Sequence, residues 1–74
     1  MRVIDLAETG RNIERLRKES GLSVKQLQEK IGLGSIQSIY GWQRAETLPT
    51  VDNLVLLAEI FEVEVDEIIA KRVL

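Results

Sequence analysis

The chain has 74 residues, 45% apolar and 30% charged, with a net charge of −2; that composition fits one small folded domain rather than a disordered segment. It holds no cysteine and no histidine, which excludes disulfides, thiolate metal sites and imidazole catalysis. No apolar run approaches the roughly 20 residues that cross a bilayer, no secretory leader is visible, and the expectation is a cytoplasmic protein.

Met1 to Ile4 reads as a short lead. Asp5 then offers an N-cap, with Glu8 three residues on to close a capping box. The first helix is expected to run to about Ser20, with Leu6, Gly10, Ile13 and Leu16 on its inner face. A glycine inside a helix costs about 1 kcal/mol against alanine, so Gly10 implies close contact with a neighbouring helix. Arg11, Arg15 and Lys18 face outward, Gly21 ends the helix, and Leu22 turns into the core.

Ser23 to Arg44 reads as two short helices joined by a turn. Ser23 is the first cap, and Val24, Leu27 and Ile31 mark one buried face. Gly32 stops that helix and Leu33 plugs the space between the two. Gly34-Ser35 restarts the chain, with Ser35 as the second cap. Ile36, Ile39 and Trp42 recur every three residues and turn inward, which puts Trp42 in the core. The other side offers Gln37, Ser38, Tyr40, Gly41 and Arg44. A short helix, a tight turn and a second helix with small polar side chains is the helix-turn-helix pattern, which lays its second helix in the DNA major groove.

Ala45 to Pro49 is a loop, since proline forbids a regular helix through it. Thr50 caps a fourth helix with Asp52 in its first turn, where the helix dipole favours an anion. Leu54, Leu57, Ala58 and Phe61 form its buried stripe. After Glu62-Val63-Glu64, a fifth helix is expected from Val65 to about Lys71. Ile68 and Ile69 are adjacent and point apart, so one joins the core and the other meets something else. The fold class expected is all-α: a compact five-helix bundle, one domain over residues 1–74, with no strand.

The order and spacing of Gly21-Leu22-Ser23, Gln37…Ile39…Trp42, Leu48-Pro49-Thr50, Asn53-Leu54…Leu57-Ala58…Phe61 and Val65-Asp66-Glu67-Ile68 carry a family resemblance. From about Thr9 to Ile69 the chain resembles the XRE-type (lambda repressor and Cro-like) DNA-binding domains. The resemblance implies a lambda-repressor-like bundle, usually dimeric, that binds short operators in double-stranded DNA in prokaryotes or phages. The chain departs from the family at several points. Gln43 replaces a glutamate that pairs with the helix 1 arginine, here Arg17, from which Gln43 can still accept a hydrogen bond. Gly41 stands where a groove-entering lysine or glutamine is common, and Val24 where a phosphate-contacting glutamine often sits. Ala45 and Glu62 stand where glycine is usual, and Glu64 replaces a serine cap.

On that resemblance Gln37 is the first base-reading candidate, because an amide donates and accepts at once and matches the major-groove edge of adenine. Ser38 either contacts the DNA or simply permits close approach. Ile36 is a buried cap residue or touches a thymine methyl. Lys25 and Gln26, in the first turn of helix 2, add to backbone amides that favour phosphate. Tyr40 offers its hydroxyl to a phosphate or packs along helix 3, and Arg44 serves a phosphate or the helix dipole. The apolar residues Ile69, Val73 and Leu74 are the expected dimer contact; the alternative is a frayed terminus. The acidic residues Glu59, Glu62, Glu64, Asp66 and Glu67 match no calcium-loop spacing, and no metal or cofactor is expected.

The charge is polarised. Residues 1–44 carry eight Lys/Arg and five Asp/Glu, net +3, and residues 45–74 carry two and seven, net −5. One positive face suits a phosphate partner. The expected function is sequence-specific DNA binding by a homodimeric transcriptional regulator, most simply a repressor, with helix 3 in the major groove. The second reading is a protein-interaction module or antitoxin-like partner on the same fold, motivated by the acidic net charge and by Gly41, Gln43 and Ala45. An enzyme is the least favoured class.

Overall fold

The computed structural model describes residues 1–74. Its elements are β1 (Arg2–Ile4), α1 (Leu6–Glu19), α2 (Val24–Ile31), α3 (Gln37–Gln43), α4 (Val51–Phe61), α5 (Val65–Ile68) and β2 (Lys71–Val73). The five helices enclose one core of Ile13, Leu16, Leu27, Ile39, Trp42, Leu57, Ala58, Phe61 and Ile68. Leu22, Leu33 and Leu54 pack against its edge, partly buried. The helical periodicities therefore located the core, and Trp42 belongs to it. Leu6 does not, being exposed in the first turn of α1.

The expectation of no strand was wrong at both ends. β1 and β2 form an antiparallel ribbon in the register Arg2↔Val73, Val3↔Arg72 and Ile4↔Lys71. α5 stops at Ile68 rather than near Lys71, because Ile69 is extended. The chain then reverses against its own beginning: the Asp5 amide donates to the Ala70 carbonyl at 2.8 Å, and the Ala70 amide to Thr9 Oγ1 at 3.0 Å. Asn12 Nδ2 adds a bond to the Ile68 carbonyl at 3.0 Å. These bonds satisfy the backbone that leaves α5, so residues 71–73 are not a frayed tail. Ile68 fills the core while Ile69 is only half-buried.

The caps differ in detail from the expectation. Asp5 accepts from the Glu8 amide at 2.9 Å, but the Glu8 side chain turns to Arg11 instead of closing a box. Thr50 occupies the N-cap of α4 without a side-chain bond to the helix amides. Asp52 takes over: the Thr50 hydroxyl, then the amides of Asp52 and Asn53, hold its carboxyl below the usual carboxylate range.

Three helices end in the same way. At α1, Gly21 is left-handed, its amide bonds the Lys18 carbonyl, and the Leu22 amide bonds that of Arg17. At α3, the left-handed residue is Ala45, with bonds from Ala45 to Trp42 and from Glu46 to Gly41. At α4 it is Glu62, with bonds from Glu62 to Glu59 and from Val63 to Ala58. Each is a Schellman turn. A left-handed residue with a Cβ costs roughly 1–2 kcal/mol, so at Ala45 and Glu62 the paired carbonyls hold the turn without a glycine.

Gly10 is required by contact. A Cβ there would lie 2.5 Å from the Trp42 carbonyl oxygen and 2.8 Å from that of Gln43. Both are backbone atoms, so α3 itself would have to move. Gly10→Ala is expected to destabilise the fold by about 1–3 kcal/mol, the usual cost of overpacking, read as a lower urea midpoint at unchanged m-value.

Candidate nucleic-acid interface

The turn between α2 and α3 is built by local bonds. Ser23 Oγ accepts from the Gln26 amide at 3.0 Å, and Gln26 Oε1 accepts from the Ser23 amide at 2.8 Å. This closed capping box starts α2 with its N-terminal turn exposed. Gly32 ends the helix in the left-handed region at φ 87°. Ser35 Oγ accepts from the Gln37 amide at 3.1 Å and starts α3.

One residue that sequence reasoning missed holds the turn shut. The Gln28 carbonyl accepts from the amides of both Gly32 and Leu33, while its Nε2 donates to the Leu33 carbonyl at 2.9 Å. A glutamine in mid-helix carries no turn signal in sequence, so nothing marked it.

The side chains singled out as DNA contacts gather around this unit. Gln37 and Ser38 are exposed on the first turn of α3, and Ile36 just before them is half-buried. Lys25 and Gln26 are exposed on the first turn of α2. Lys25 Nζ donates to Gln28 Oε1 at 3.1 Å, a neutral partner that leaves its charge intact. Gln26 spends its Oε1 on the cap, which leaves its amide group to donate outward. Tyr40 is half-buried, and the Arg44 guanidinium lies 5.3 Å from its ring centroid. That stacking gives Arg44 a fixed platform without neutralising it.

Gly41 is misplaced in the sequence reading. It is buried, its carbonyl accepts from the Glu46 and Thr47 amides, and a Cβ there would meet Thr47 Oγ1 at 3.2 Å. It faces the loop after α3, not a groove. Glycine here relieves packing against that loop. Ala45 likewise keeps the backbone turn that a glycine would make.

Arg17 behaves as expected and more. Its Nε donates to Gln43 Oε1 at 3.1 Å and its terminal nitrogen to the Leu22 carbonyl at 2.7 Å. It thereby ties α1 to the end of α3 and to the start of α2. The other cations of α1 pair with carboxylates on their own helix: Arg11 with Glu8, Arg15 with Glu19 and Lys18 with Glu14. No three acidic residues converge as they would around a metal ion, and no helix is long and apolar enough to cross a membrane.

The comparison with known proteins decides the class of this site: a helix-turn-helix family model matches residues 13–68. The chain belongs to the XRE-type helix-turn-helix family, a class of DNA-binding domains and not of enzymes. It is 43% identical over 58 residues to an uncharacterized HTH-type transcriptional regulator, YobD, of Bacillus subtilis (strain 168). That match covers 77% of the chain and 50% of the relative, so the chain spans about half the relative's length. The fold is similar to the restriction-modification controller protein C.AhdI of Aeromonas hydrophila, with a TM-score of 0.77 and 28% identity. That match covers 86% of this chain and 96% of the controller protein.

Because Gln28 alone ties the α2 side chains to the turn, Gln28→Ala should cost about 1 kcal/mol, the net worth of one such bond. Native-state hydrogen exchange should show the loss as faster exchange at the Gly32 and Leu33 amides than in the wild type.

Proposed function

We propose that this chain is a sequence-specific DNA-binding transcriptional regulator that acts as a homodimer, with α3 of each subunit in the major groove. The carrying observation is the exposed pair Gln37 and Ser38 at the start of a helix braced by capped turns on both sides. In this reading Gln37 reads adenine through its amide, Ser38 contacts a neighbouring base, and the Ile36 methyls meet a thymine. Lys25, the Gln26 amide, the Tyr40 hydroxyl and Arg44 hold the phosphates on either side. In this reading regulation is by occupancy, and repression by blocking polymerase is its simplest form.

Gln37→Ala should relax selectivity at one or two base positions, at a cost of about 1–3 kcal/mol. Selection from a randomised duplex pool reads this out: identical recovered sites for wild type and variant would remove Gln37 from the reading face.

The dimer contact has two candidates. Val73 and Leu74 are 72% and 73% exposed, but Ile69, at the end of α5, is half-buried. The α4 side offers Val51 and Val55, which are 78% and 47% exposed and share one helix face by their spacing, with Leu48 of the preceding loop 37% exposed. A row fixed on a helix loses less freedom on association than a chain end, and Val51 and Val55 were passed over because they lie outside the buried stripe. We assign the main contact to the α4 row, with Ile69, Val73 and Leu74 contributing at most its margin. Val51→Asp should yield monomers by analytical ultracentrifugation while Val73→Asp retains dimers. The reverse result would return the contact to the C-terminal ribbon.

A protein-interaction role on the same fold is the second reading, and the acidic α4–α5 surface is its motive. DNA affinity that stays flat across a salt series would favour it, since phosphate contacts always release counterions.

A further inference from the structure

We infer that Gln43 is a positioning residue that keeps the Arg17 guanidinium aimed, with its whole positive charge, at a phosphate of the DNA backbone. The inference rests on the DNA-binding reading above and adds to it a device for binding DNA with an acidic chain.

The argument starts from α1. Of its four cations, Arg11, Arg15 and Lys18 each lie within 4 Å of a carboxylate, and Arg17 has none. Its two hydrogen bonds go to neutral acceptors, Gln43 Oε1 at 3.1 Å and the Leu22 carbonyl at 2.7 Å. Two bonds in different directions fix the planar group, which no single bond would do. The Leu22 carbonyl directly precedes Ser23, the cap of α2, so the guanidinium is held at the exposed start of that helix. The second terminal nitrogen makes no hydrogen bond within the chain, and Arg17 is only half-buried, so donor capacity remains for a phosphate.

Gln43 is itself held firmly. Its carbonyl lies against Gly10, one face of α1 below Arg17, so the amide reaches Arg17 from a fixed origin. A glutamate at this position would orient Arg17 equally well and would pair more strongly. It would also cancel the charge before any phosphate arrived. Phosphate contacts contribute through released counterions, one per charge neutralised, so a pre-neutralised arginine contributes little. In a chain with a net charge of −2, retaining one unscreened cation at the interface matters more than a tighter internal bond.

The test uses the full chain and a labelled random-sequence duplex, whose binding reports phosphate contacts alone. Affinity is measured by fluorescence anisotropy across a salt series, with thermal melts of each protein alongside. Gln43→Glu should melt at or above the wild-type temperature and bind more weakly. Its slope of log affinity against log salt should be shallower by about one unit. The gap between the two proteins should therefore narrow roughly three- to fourfold between 50 and 200 mM salt. Gln43→Met, neutral and without an acceptor, should bind more weakly while the slope stays near that of the wild type. Arg17→Gln should reproduce the shallow slope and serves if the Gln43 variants fold poorly. A wild-type slope and affinity in Gln43→Glu, or a wild-type slope in Arg17→Gln, would overturn the inference while leaving DNA binding intact. No salt-dependent binding by the wild type would overturn both.

Discussion

The close approach of α1 to the end of α3 at Gly10 governs the rest of the structure. With a Cβ position 2.5 Å from the Trp42 carbonyl oxygen, no other residue fits without moving α3. That contact sets how far α3 stands from α1, and Trp42 and Ile39 then fill the space between them as core. The exposed turn bearing Gln37 and Ser38 projects from the opposite side because the inner side is so tightly fixed. Arg17, two turns further along α1, reaches the same end of α3 through Gln43. One packing contact and one hydrogen bond thus fix the presentation of the helix that would read DNA.

Much of this was legible in sequence, and the reasons are local. Ser23, Gly32 and Ser35 mark their turns because capping is chemistry between residues a few positions apart. Gly10 was readable as a contact because an interior glycine has a cost that something must offset. Ala45 and Glu62 were legible only as missing glycines. The structure shows why their absence is tolerated: the chain repeats the same pair of carbonyl bonds after α1, α3 and α4, and backbone pairing dictates the turn more strongly than the side chain does.

What stayed hidden was either distant or degenerate. The ribbon joins Arg2–Ile4 to Lys71–Val73 across almost the whole chain, so no hairpin turn announces it, and each strand is too short for alternation to register. Gly41 was assigned to the groove by its position on α3, yet the loop after α3 folds back over it, a tertiary event invisible to helical spacing. Gln28 closes the turn through both its backbone and its side chain, a role that any polar mid-helix residue could have been given. Exposed Val51 and Val55 carried no signal in sequence, because periodicity places them off the buried stripe but does not say what an apolar residue on an outer face meets.

Net charge is a poor guide to what such a chain can bind, and the arrangement here shows why. Of the acidic residues of the second half, Asp52, Asp66 and Glu67 lie in the first turns of α4 and α5, where the helix dipole favours them, and Glu59 and Glu62 are exposed to solvent at the far end of α4. On α1, opposite charges at helical spacing neutralise one another and, being exposed, contribute little to the fold. The cations left free of carboxylates around the helix-turn-helix are few: Arg17, Lys25, Lys30 and Arg44. Three of them meet a neutral partner, Arg17 two acceptors, Lys25 the Gln28 Oε1 and Arg44 the Tyr40 ring. On the DNA-binding reading, a domain with so few free cations has little non-specific affinity to spend, since that term scales with the number of charges engaged. Selectivity then depends on how rigidly a small number of side chains is presented, which is the property that the capped turns, Gly10 and Gln28 all serve.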